Sequence, residues 1–70
     1  MLEKRSFSLS GHRTSVALEP EFWAALAAIA GREGVALSAL VTRLDSQRDG
    51  GQPLASALRV FALLGNPPRD

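Results

Sequence analysis

Residues 13–23 read Arg13-Thr14-Ser15-Val16-Ala17-Leu18-Glu19-Pro20-Glu21-Phe22-Trp23, and the period of the pattern changes inside them. Thr14 to Leu18 alternate with a period of two, the signature of a strand with one buried face. Val16 and Leu18 fall on one side with Thr14, while Arg13, Ser15 and Ala17 fall on the other. At Glu19 the pattern breaks. Pro20 pre-sets a helical φ at a first turn, and the flanking acids Glu19 and Glu21 suit the positive end of a helix dipole. Phe22, Leu26, Ile29 and Ala30 then recur at helical spacing as one apolar stripe. Ala24, Ala25, Ala27 and Ala28 add helix propensity. Gly31 or Gly34, the latter favoured, ends the helix.

Upstream, Ser6-Phe7-Ser8-Leu9-Ser10 also alternates, but with its apolar residues on odd numbers. Gly11 lies where the phase changes, so residues 1–11 are either half of a hairpin or an extended arm with a kink. Downstream, Ser38 is the expected N-cap of a second helix. Leu40, Val41 and Leu44 form its stripe, and Asp49-Gly50-Gly51 stops it. A third helix is expected over 53–64, with Leu54, Leu58 and Phe61 on one side and Val60 and Leu64 beside them. Asn66-Pro67-Pro68-Arg69-Asp70 reads as a frayed tail. The organisation is thus an N-terminal arm (1–11), a core of strand and two helices (12–49), a third helix (52–65) and a tail (66–70).

The expected class is mainly α with one N-terminal β-strand. A lone strand cannot satisfy its own backbone groups. Pairing with its copy from a second chain would, which gives an intertwined homodimer with a two-stranded antiparallel intermolecular ribbon.

Size makes that help welcome. With 70 residues and no Cys, the chain has a small core and no disulfide to reinforce it. His12 is its one imidazole, so neither a metal site nor a cofactor is expected. Enzyme chemistry is not expected either, because no nucleophile, base and orienting group converge. No apolar run would span a bilayer and no signal peptide is evident, so the expected location is the cytoplasm without membrane association. The formal net charge is only +1, but it is unevenly placed. Residues 1–18 set Lys4, Arg5 and Arg13 against Glu3, a net of +2, while residues 19–70 carry five Arg against six acids, a net of −1. The basic end hints at an anionic partner.

Arg13-Thr-Ser-Val-Ala-Leu-Glu-Pro-Glu-Phe-Trp23, followed by Gly34-Val-Ala-Leu-Ser-Ala-Leu40, resembles a ribbon-helix-helix domain of the Arc/MetJ type. Gly-His-Arg-Thr-Ser and Leu-Glu-Pro-Glu-Phe-Trp point to a small bacterial subfamily with an extra C-terminal helix, over roughly residues 5–64. The resemblance implies an obligate dimer, able to assemble further on double-stranded DNA, whose ribbon enters the major groove. It implies a transcriptional regulator, a repressor, associated with the nucleoid when bound.

Under that resemblance Arg13, Ser15 and Ala17 are the base-contacting residues. Arg13 leads, since its planar fork can donate two hydrogen bonds to guanine. Ala17 departs from the long polar side chain usual there. The amides of Ser38 and Ala39 would hold a phosphate at a helix N-terminus, with Lys4 and Arg5 adding phosphate contacts. Val16, Leu18, Phe22, Leu26, Ile29, Leu40, Val41 and Leu44 would form the dimer core. His12 is expected as a turn residue and Trp23 as a packing residue. The alternative is an antitoxin-like or adaptor module that uses residues 53–64 to bind a protein partner. A third reading is a dimer that has kept the fold and no longer reads DNA.

Overall fold

Ser10 and Gly11 resolve what the alternation left open. In the computed structural model, which describes residues 1–65, both have positive φ, 51° and 83°. This is the backbone of a two-residue primed turn, whose twist matches that of the strands it joins. The described residues therefore form two strands: β1 (Glu3–Leu9) and β2 (His12–Leu18) pair antiparallel, from Leu9 opposite His12 to Glu3 opposite Leu18. The expectation of a single strand is corrected. β2 finds its partner nine residues upstream instead of needing a second chain, because the turn resets the phase and brings Phe7 and Leu9 onto the face of Val16 and Leu18. The expected tail at residues 66–70 lies outside the described residues.

Three helices follow: α1 (Pro20–Glu33), α2 (Leu37–Gln47) and α3 (Leu54–Leu64). Pro20 opens α1 as the sequence suggests, and Gly34 closes it in the left-handed region at φ 72°. The Gly34 amide donates to the Gly31 carbonyl and that of Val35 to the Ala30 carbonyl, the paired bonds of a Schellman end.

The start of α2 differs from expectation. Ala36, extended at ψ 151°, precedes the first turn, and no side chain caps it. Ser38 is therefore the second helical residue and not the N-cap, and its carbonyl accepts from the Thr42 hydroxyl at 2.9 Å. Starting at Leu37 lets that side chain pack against the core, which outweighs the roughly 1 kcal/mol a serine cap would supply. Arg48 ends α2 and bridges forward, bonding Asp45 Oδ1 at 2.8 Å and the Gln52 carbonyl at 2.7 Å.

One core joins the layers. Phe7, Leu9, Val16 and Leu18 from the hairpin meet Trp23, Leu26, Ile29 and Ala30 of α1, and Leu40, Val41 and Leu44 of α2. From α3, Leu54, Leu58 and Ala62 close it at spacings of four. The α1 stripe is rotated from the one read in the sequence: Trp23 is 1% exposed, while Phe22 is half-buried at the margin. The indole nitrogen donates to the Glu3 carbonyl at 2.8 Å, so its polar edge is satisfied where it is buried. Each such aliphatic or aromatic burial stabilises by about 1.5–3 kcal/mol. Val16, Leu18, Leu26, Ile29, Leu40, Val41 and Leu44 are all buried within a single chain.

Candidate nucleic-acid interface

The hairpin register sorts its residues onto two faces. Glu3, Arg5, Phe7 and Leu9 of β1 lie across from Leu18, Val16, Thr14 and His12 of β2, and this face carries the hairpin's buried side chains. On the other face Lys4 lies opposite Ala17, Ser6 opposite Ser15 and Ser8 opposite Arg13. All of these are exposed except Ala17, which is half-buried. In a two-residue hairpin the pair next to the turn is hydrogen-bonded, so these three outward pairs are of the non-hydrogen-bonded kind, in which side chains stand closest. The Ser6 and Ser15 hydroxyl oxygens are 3.1 Å apart and share a hydrogen bond. Arg13 Nη1 donates to Ser8 Oγ at 3.4 Å.

The outward face is therefore a strip of three hydroxyls, two cations and one methyl, with no acid. The expected set Arg13, Ser15 and Ala17 shares this face, and Lys4 joins it. Arg5 does not. Its guanidinium pairs with Glu3 Oε2 at 2.7 Å on the opposite side and lies over the Trp23 ring, 4.9 Å from the centroid. Phe7 packs against the same indole with ring centroids 5.8 Å apart. His12 is exposed beside the turn.

Ser38 and Ala39 lie in the first turn of α2 and are exposed. With Leu37, their amides precede the first α2 hydrogen bond, which Leu40 donates to Ala36 at 3.1 Å. With no side-chain cap on that turn, those amides are open to an anion.

Other charged pairs tie the scaffold together. Arg43 bonds both carboxylate oxygens of Glu33 at 2.8 and 3.2 Å, tying α2 to α1. Arg59 reaches from α3 to Glu19 Oε1 at 3.1 Å. The hydrogen bond from Arg43 holds the Glu33 carboxyl below its usual pKa and raises that of Arg43. Glu19 is lowered first by its own backbone amide and then by Arg59. None of these acids faces outward from the hairpin.

Sequence reading missed Ser6 and Ser8 as site residues. Their signal was present as alternation with Phe7 and Leu9, but which face they share with Arg13 depends on the turn. Among the described residues no group of His, Asp and Glu could hold a metal ion, and no single helix is long and apolar enough to cross a membrane.

A family model described as a ribbon-helix-helix domain matches residues 2–65. No curated protein and no solved structure matches the chain.

Proposed function

Because the chain belongs to the ribbon-helix-helix family, a family of DNA-binding regulators, we propose that it is a homodimeric transcriptional repressor that inserts a β-ribbon into the major groove. The observation that carries this reading is the outward face of the hairpin: polar, cationic, free of acids, and backed by an apolar face packed into the core. On this reading Arg13 donates its fork to a guanine, Ser15 donates to or accepts from a base edge, and the Ala17 methyl meets a thymine methyl. Lys4 and the Ser38 and Ala39 amides grip phosphates and set register without reading sequence. Arg5, held by Glu3 and Trp23, is left to the scaffold. The work is done in the cytoplasm, on the nucleoid, with no cofactor. The test is fluorescence anisotropy with mixed-sequence duplex DNA over a salt series. Binding that weakens steeply with salt is expected, and no binding at low salt overturns the reading.

One observation favours a second reading, an antitoxin-like or adaptor module that takes a protein partner on its third helix. Val60, Leu63 and Leu64 are exposed on α3, the last two at 72% each. Clefts of about 240 and 220 Å³ flank this helix, one against Leu44 and Arg48 and the other against Phe22 and Ala25. Replacing Leu63 and Leu64 by Ser leaves the buried residues of α3 intact. A folded variant that loses a partner captured by the wild type supports this reading, and an unchanged set of partners removes it.

A further inference from the structure

α3 has eleven residues and one charge, Arg59, which is turned to Glu19 Oε1 at 3.1 Å and lies over the Phe22 ring. A helix that is apolar on every side is ordinarily buried on every side. α3 is buried on one side only, through Leu54, Leu58 and Ala62, while Val60, Leu63 and Leu64 are exposed on the other.

The pattern of that outward face fits its own copy. A two-fold axis sets a surface against itself, so a charge on the axis would meet a like charge, and none lies on this face. Bulk is also uneven about Val60: Ser56 and Ala57 lie one turn before it, Leu63 and Leu64 one turn after it. At about 3.6 residues per turn, Ala57 and Leu64 fall on one flank of Val60 and Ser56 and Leu63 on the other. Antiparallel pairing about a two-fold at Val60 keeps each flank on its own side. It brings Leu64 of the second copy to Ala57 and Leu63 of the second copy to Ser56, a large side chain over a small one each time. The first flank also holds the cleft of about 240 Å³, lined by Ala57, Val60, Phe61 and Leu64 of α3 and by Leu44 of α2. Leu64 of the second copy enters it there, as a ridge enters a groove.

We propose that the outward face of α3 is a self-association surface, on which two copies of this chain pack antiparallel about a two-fold at Val60. The contact is separate from the one that makes the DNA-binding dimer, is able to join one such dimer to the next, and does not rest on the DNA-reading role. Eleven residues a side is fewer than the roughly 20–30 of a standard interface, so the association is weak and reversible.

Sedimentation equilibrium of the full chain without DNA, over a concentration series, tests it. The wild-type mass is expected to rise with concentration to twice that of the smaller unit. Val60→Glu sets two carboxylates across the axis and is expected to hold the smaller unit at every concentration, with far-UV circular dichroism and thermal midpoint unchanged. Leu64→Ser gives the same loss without adding a charge and serves if the first variant does not fold. A variant mass equal to that of the wild type at every concentration overturns the proposal and leaves the face to the protein partner of the second reading.

Cross-linking tests the arrangement independently, because the chain has no Cys of its own. Val60→Cys is expected to oxidise to a species of twice the chain mass faster than Ala27→Cys, a control exposed on α1. Leu64→Cys mixed with Ala57→Cys is expected to form the mixed disulfide in preference to either like pair. Equal rates for the Val60 and Ala27 variants, or a preference for the Leu64 like pair, overturn the antiparallel two-fold.

Discussion

Arg5 and Arg13 lie on the two strands of one hairpin, and residue parity sends them to opposite faces. Arg5 is spent on Glu3 and the Trp23 ring, whereas Arg13 faces outward with the Ser8 hydroxyl beside it. Arg13→Ala is therefore expected to cost about 1–3 kcal/mol of specific DNA binding, while stability changes by no more than about 0.5 kcal/mol. Anisotropy and urea unfolding on the same preparation separate the two. Lys4→Ala is expected to weaken binding equally on all sequences and to make the salt slope shallower by about one unit. Away from the ribbon, the Glu33 pKa is lower in the folded chain than its ordinary 4.5. Its pairing with Arg43 is thus fully stabilising above that value and is lost as pH falls through the lower folded one. Glu33→Gln should flatten the dependence of the urea midpoint on pH below roughly 4.5, with little change at pH 7, since the pair is exposed. At this scale the outward trio of β2 was legible from parity alone. The place of Arg5 was not, because its parity relative to β2 depends on the two residues of the turn.

At the scale of elements, local rules held where no larger demand opposed them. Pro20 starts α1 and Gly34 ends it, as the sequence suggests. Gly34→Ala places a side chain at φ 72° and is expected to cost about 1 kcal/mol in urea unfolding. Ser38 obeyed a larger demand. A serine before an apolar stripe is a good cap, but Leu37, partly buried, packs against the core, and the helix begins two residues earlier than a Ser38 cap would set it. The same competition put Trp23 under the hairpin and left Phe22 at the margin, since only the indole both fills the space beside Phe7 and reaches the Glu3 carbonyl. α3 is the clearest case of an element whose role lies in packing. Leu58 is fully buried, and Leu58→Ala is expected to destabilise by about 2–5 kcal/mol. Removing residues 52–70 takes Leu54, Leu58 and Ala62 together, and should leave a chain without a cooperative thermal transition.

Across the whole molecule, 70 residues correspond to a stability on the order of 3–10 kcal/mol, so the loss of any one layer is decisive. Composition pointed to a partner chain as the missing support. The hairpin and α3 supply much of that support internally, and fourteen apolar residues are buried among the described residues of one chain. On the proposed reading, assembly into a dimer would then be a meeting of folded chains. Far-UV circular dichroism should keep its folded shape on dilution to concentrations where sedimentation finds monomers; parallel loss of both signals would show that folding requires assembly. The indole of Trp23 gives this architecture an optical consequence. The chain has one Trp and no Tyr, so its near-ultraviolet emission has a single strong source, lying beneath the hairpin on the side away from the outward serines. A ligand that rests on the outer face without moving the ribbon leaves that emission blue and little altered. One that lifts the hairpin from α1 wets the indole and shifts its colour to the red, and the unlabelled protein thereby distinguishes docking from opening.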